Sequence, residues 1–191
     1  MFVQFARLLK PIAILLFFVL ITIGFLFFGR SENRVLEEFE VRNNSMSGLL
    51  EPGEKIEVDF NYYKNNEIER GDVVLFSYAG NENYLVKTVY GIPGDIVDLE
   101  NAGGPARNAS ASVAGGQFRL LINGRAAVNS EDNEFVFSAQ KANLLSLYIA
   151  DYKGRIPSDA YLILGNLEGG SVDSSKFGFV AKENIVGKVI R

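Results

Sequence analysis

The amino-acid sequence predicts a mainly β protein: an amino-terminal transmembrane helix followed by a β domain into which a smaller β-rich subdomain is inserted. Three observations predict it. One uncharged apolar run lies near the amino terminus, short alternating or β-branched segments dominate from about Val35 onward, and a small-residue, low-complexity stretch sits among those segments. A chain of 191 residues has room for one or two small domains.

The first element is Pro11 to Gly29, PIAILLFFVLITIGFLFFG, which as a helix would span roughly 28 Å of hydrocarbon. A cleaved signal would need a shorter apolar region and small residues at a cleavage site, but this run leaves through Phe27, Phe28, Gly29 and Arg30. Arg7 and Lys10 precede it with no acid among them, so residues 1–10 should stay in the cytoplasm and everything after Arg30 should lie on the far side of the membrane. Setting aside Arg7, Lys10 and Arg30 leaves 16 basic and 23 acidic residues, net −7. An acidic exported domain has no electrostatic footprint for nucleic acid, so none is expected as a partner.

The β elements follow in order. Strands are expected at Lys55–Asp59, Asp72–Tyr78, Tyr84–Tyr90, Ile96–Leu99, Gln117–Ile122, Ala126–Asn129, Tyr161–Leu164 and Ile185–Ile190, each a short β-branched or aromatic run between Gly, Asn or Asp. Asn123-Gly124 between two of them signals a type I′ hairpin. Asn101 to Gly116, NAGGPARNASASVAGG, reads as a flexible surface loop, and Glu134 to Tyr148 is the one later stretch with helical character. The expected division is a core of residues 30–97 and 160–191 with an inserted subdomain at 98–159.

Composition narrows the chemistry. The chain has no His and no Cys, which removes the Ser/His/Asp triad, thiol nucleophiles, disulfides and thiolate metal sites. A hydrolase built from what remains needs Ser, Thr or carboxylate chemistry with Lys, an acid or a carboxylate-held metal as helper. Three segments could carry it. Val41 to Leu50, VRNNSMSGLL, places Ser45 in an Asn-rich turn, where a serine is ordinarily a turn residue. Tyr84 to Asp95, YLVKTVYGIPGD, puts Lys87 in phase with Leu85 and Val89. That lysine is either an edge residue that snorkels to solvent or a buried amine with a lowered pKa. Gly165 to Gly178, GNLEGGSVDSSKFG, alone reads as a polar loop.

Taken in order behind the apolar helix, these segments resemble the bacterial type I signal peptidases, membrane-anchored Ser/Lys endopeptidases whose β domain is LexA-like. Ser45-Met46 with Leu50 is similar to the serine box SMxPTL, and Arg70-Gly71-Asp72-Val73-Val74 to RGDVV. Lys87, Val89, Gly91, Pro93, Gly94 and Asp95 match KRVxGxPGD. Gly165, Ser171, Asp173, Ser174 and Gly178 fit GDNRxNSxDSRxxG, followed by Phe179-Val180 and Asn184 to Gly187. The departures are Gly48 and Leu49 for Pro and Thr, Thr88 for the arginine after the lysine, Asn166, Leu167 and Glu168 for Asp, Asn and Arg, and Ser175 for the last arginine.

The resemblance implies removal of signal peptides from exported preproteins without cofactor or metal, with the lipid bilayer as the second partner and the site on the extracytoplasmic side of the cell membrane. Ser45 would be the nucleophile and Lys87 the general base. Asn43, two residues before the nucleophile, would sit at the oxyanion-hole position; Ser171 would orient the Lys87 amine, and Asp173 would be a structural acid beside it. Val41, Met46, Leu50, Leu85 and Val86 would line shallow apolar pockets for small residues. Two other readings stand beside it: a specialised Ser/Lys processing peptidase, such as one maturing conjugative pilin, and a noncatalytic membrane-anchored β-domain paralogue, which the altered last box would suit.

Overall fold

The computed structural model describes residues 34–78, 83–102 and 116–190. The expectations for the cytoplasmic segment 1–10, the transmembrane helix 11–29 and most of the loop 101–116 lie outside them. Among the described residues no helix is long and apolar enough to cross a membrane.

Seven strands form one antiparallel sheet: β1 (Leu36–Glu40), β2 (Lys55–Asp59), β3 (Val73–Ser77), β4 (Tyr84–Gly91), β9 (Ala160–Leu164), β10 (Val180–Ala181) and β11 (Ile185–Val189), in the order β1-β2-β11-β3-β4-β9-β10. A second sheet holds β5 (Val97–Asn101), β6 (Gln117–Ile122), β7 (Arg125–Ala126) and β8 (Val136–Ser138). The Asn123-Gly124 expectation is met: the hairpin pairs Ile122 with Arg125 around φ values of 51° and 75°. Three α-helices, α1 (Tyr62–Asn65), α2 (Ala139–Asp151) and α3 (Ser174–Phe177), and two 3-10 turns, Asn44–Met46 and Lys182–Asn184, complete the described residues.

The strand that matters most is β4. Its first five residues pair with β3, which sets Val74 opposite Lys87 and Phe76 opposite Leu85. β9 joins the other edge only at Thr88 and beyond, and the register slips between Val89 and Gly91. Among the described residues, the backbone of Tyr84–Val86 on that edge therefore has no strand partner. Leu85 and Val89, the same-face neighbours of Lys87, pack with Ile68, Val74, Phe76, Tyr161 and Ile163. Val86, on the opposite phase, packs with Val41, Met46, Leu50, Ile56, Val58 and Leu75. A third cluster joins β5, β6 and α2 to Leu162 and Leu164 of β9.

Two local expectations change, and one strand lies outside those expected. The helix expected over Glu134–Tyr148 begins at Ala139, because Phe135 and Phe137 are both fully buried and their period-2 spacing puts Val136–Ser138 into β8 against β6. The strand expected at Ala126–Asn129 stops at Ala126, where Asn129 turns the chain by accepting the Glu131 and Asn133 N–H groups on its own Oδ1. β1, an acid-rich LEEFE segment, becomes a strand because Phe39 pairs opposite Ile56 and packs against the same core.

Candidate active site

The serine segment has little regular structure of its own. Asn44–Met46 forms a single 3-10 turn, capped by Asn43, whose Oδ1 accepts the Ser45 N–H at 3.1 Å. Gly48 follows with φ of +86° and donates its N–H to Glu51 Oε1 at 2.8 Å. Proline, locked near −65° and lacking that N–H, could do neither, which accounts for the departure at this position. Met46 fills the core beneath the turn and leaves Ser45 partly open.

Lys87 meets this turn across 42 residues of sequence, with its Nζ 2.9 Å from Ser45 Oγ and 2.8 Å from the Val86 carbonyl. The side chain is 1% exposed. Burial disfavours the ammonium and brings its pKa from 10.5 down to about 8, against an opposing pull from the negative charge of Asp173.

Asp173 is fully buried and caps α3. Its Oδ1 accepts the Ser175 N–H and hydroxyl at 3.0 and 2.7 Å, while its Oδ2 accepts the Gly165 N–H, the Ser171 N–H and the Ser171 hydroxyl at 3.0, 2.9 and 2.8 Å. Burial pushes this carboxyl up, but the donors from Gly165, Ser175 and Ser171 outweigh it and hold the pKa below its ordinary value. Ser175, which replaces an arginine of the family pattern, thus supplies two of the bonds that satisfy the acid. Ser171 does not take the role expected for it: its hydroxyl is turned to Asp173 rather than to the lysine amine. Gly165 lies between the two serines, where a Cβ would come within 2.5 Å of both Ser171 Oγ and the Ser45 carbonyl oxygen.

A cleft of about 710 Å³ opens over Ser45. Val41, Met46, Leu85 and Val86 line it, and so does Asn43. Leu50 does not: it is absent from the cleft wall and packs in the core with Met46 and Ile56. The sequence reading missed the aromatic wall of Phe39, Phe60 and Tyr84, whose ring centroids lie 5.9 to 6.4 Å apart, and the rim acids Glu37, Glu38 and Glu40. Alternation of Phe39 with the acids of β1 was the available signal. Asn43 faces the serine as an acceptor, so in this geometry the Ser45 N–H is occupied rather than free.

Comparison with known proteins gives first the class, a peptidase: the sequence matches the family described as "Signal peptidase, peptidase S26" over residues 8–191. The chain belongs to that signal peptidase family. It is 29% identical over 162 residues to Signal peptidase IB of Staphylococcus aureus (strain Mu50 / ATCC 700699), covering 81% of this chain and 76% of that one. It is 28% identical over 168 residues to Signal peptidase I of Leptolyngbya laminosa, covering 82% and 68%. A crystal structure of a signal peptidase I from Enterococcus faecalis V583 matches with a TM-score of 0.41 and 21% identity, over 64% of this chain and 97% of that one.

The buried amine has a stability consequence. Between pH 8 and 10.5 the unfolded lysine holds a proton that folded Lys87 releases, so stability rises with pH across this window and the cost is complete below it. At roughly 1.36 kcal/mol per pKa unit, that cost is about 3 kcal/mol at neutral pH. Lys87→Met should raise the unfolding midpoint at pH 7 and lose that advantage above pH 10, as followed by thermal melts across pH.

Proposed function

We propose that this chain is a membrane-anchored serine endopeptidase that removes signal peptides from exported preproteins, with Ser45 as nucleophile and Lys87 as general base. The observation that carries the reading is the 2.9 Å approach of a fully enclosed lysine amine to a hydroxyl that opens onto a cleft. With a pKa near 8, roughly one amine in ten is neutral at pH 7, against about one in a few thousand for an exposed lysine.

In the neutral amine the contact reverses, and the Ser45 hydroxyl donates to the Nζ lone pair. Oγ attacks the scissile carbonyl carbon as Lys87 takes the proton, and the ammonium then gives it to the departing amine as the C–N bond breaks. The same amine deprotonates the water that hydrolyses the acyl-enzyme. Stabilising the tetrahedral oxyanion requires the Ser45 N–H, which now bonds Asn43 Oδ1. Asn43 is exposed, so its side chain is free to swing away from the N–H and present Nδ2 to the same oxygen.

The substrate would lie extended between β1 and the open edge of Tyr84–Val86, forming main-chain bonds like an added strand while Val41, Met46, Leu85 and Val86 receive small side chains. The apolar run 11–29 would hold the enzyme in the cell membrane beside its membrane-bound substrates, amino terminus inside and site outside. Residues 30–97 and 160–191 would form the catalytic core and 98–159 the insertion. The noncatalytic alternative rests on the altered last box, but Asn166 and Ser175 are fully hydrogen-bonded there, to the serine turn and to Asp173.

Preprotein cleavage in detergent or liposomes should be abolished by Ser45→Ala and by Lys87→Met, with undiminished processing by either variant ruling out the dyad. For wild type, kcat/KM should rise with pH on one limb near pH 8, because the neutral amine is the active form; a limb near 10.5 would contradict a buried base. Asn43→Ala should lower kcat about 100-fold with little change in KM. A rise in KM with kcat unchanged would assign Asn43 to substrate binding instead.

A further inference from the structure

We propose that Asn166, together with the Asn129–Ser130 turn, is a positioning clamp that sets the nucleophile turn against Lys87. The proposal rests on Ser45 being the nucleophile. Asn166 is 2% exposed and is held or holds through every polar group it has. Its N–H donates to the Ser45 carbonyl at 2.7 Å, and its Nδ2 donates to the Ser47 carbonyl and to Ser130 Oγ, both at 2.8 Å. Its Oδ1 accepts the Ser130 N–H at 3.0 Å, and its carbonyl accepts Asn129 Nδ2 at 2.9 Å.

Two features make this more than a buried amide. The bonds to Ser45 and Ser47 grip the serine turn on both sides of Met46, and that turn is one 3-10 turn with few bonds of its own. The amide orientation is also determined: Oδ1 must face the Ser130 N–H, which leaves both hydrogens of Nδ2 for Ser47 and Ser130. An aspartate, usual in the family pattern at this position, would set a carboxylate oxygen against the Ser47 carbonyl. Gly48 completes the junction, for a Cβ there would come within 3.0 Å of Asn166 Nδ2 and 3.1 Å of the Glu131 carboxyl carbon.

The nucleophile is thus positioned from outside the strand that carries its base. Lys87 is set by the pairing of β4 with β3, whereas the Ser45 backbone is set by Asn166 and, through it, by a turn at residues 129–130. Asn166, Asn129 and Ser130 all lie outside the cleft over Ser45. A shift of about 1 Å in a reacting group can lower turnover about 100-fold, so loosening the clamp should act on kcat and leave KM alone.

The test uses the full chain with Asn166→Ala and Asn129→Asp; the latter keeps the Oδ1 acceptor of its own turn and sets a carboxylate oxygen, in place of the donor, against the Asn166 carbonyl. Amide hydrogen exchange of residues 43–50, read in a Ser45→Ala background, should quicken at least tenfold in both variants while β3 and β4 keep their protection. With a preprotein substrate, kcat should fall about 10- to 100-fold at the high-pH plateau, with KM within twofold of wild type. Unchanged exchange overturns the clamp, and faster exchange with wild-type kcat overturns its positioning role. A loss that falls on KM also overturns it. If Asn166→Ala does not fold, Asn129→Asp alone carries the same outcomes. Absence of cleavage by wild type would instead overturn the proposed function, and the exchange result would still decide whether the clamp exists.

Discussion

A lysine amine enclosed by protein is the constraint on which the rest of this structure depends. Lys87 occupies a position of β4 whose same-face neighbours, Leu85 and Val89, pack with the core, and burial takes its ammonium out of bulk solvent. Two acceptors make the position tenable: the neighbouring Val86 carbonyl and the hydroxyl of Ser45. The stability lost by burying the amine is what brings its pKa into the range where a neutral base is present.

That arrangement needs Asp173 near the lysine without letting it dominate. A bare carboxylate in the same enclosure would pull the amine back toward its charged form. The acid is instead covered by five hydrogen bonds from Gly165, Ser171 and Ser175, so its charge is spread over backbone and hydroxyl donors. The net effect is that burial prevails over the Coulombic attraction at Lys87. Among the described residues no buried side-chain nitrogen or oxygen lacks a partner, and that condition allows so polar a centre inside a β core.

Three of the departures from the family pattern make definite local bonds. Glycine at position 48 takes a backbone angle closed to proline and supplies an N–H to Glu51. Asparagine at 166 brings a donor to the serine turn that a carboxylate could not, and serine at 175 gives its N–H and hydroxyl to the buried Asp173. Each is readable only with its neighbours in view. A sequence box records which residue stands at a position but not which atom it must satisfy.

Much of the fold was legible because alternation and turn chemistry are local. Lys55–Asp59 and Gln117–Ile122 appear as strands with the expected limits, and Asn123-Gly124 closes its hairpin. Where a competing partner lies far away, the local signal misleads: Phe135 and Phe137 belong to a strand because β6 is there to pair with them, and Leu50 is core because Met46 and Ile56 surround it. The absence of His and Cys, the apolar run 11–29 and the candidates Ser45 and Lys87 came from the sequence by itself, since each is a property of residue identity and spacing. Tertiary structure alone decided that Ser45 and Lys87 meet across 42 residues, that Ser171 serves Asp173 rather than the amine, and that Asn166 holds the serine turn. Hydrogen bonds between distant segments depend on how strands are ordered and registered in the sheet, and that order is set by the packing of the whole core.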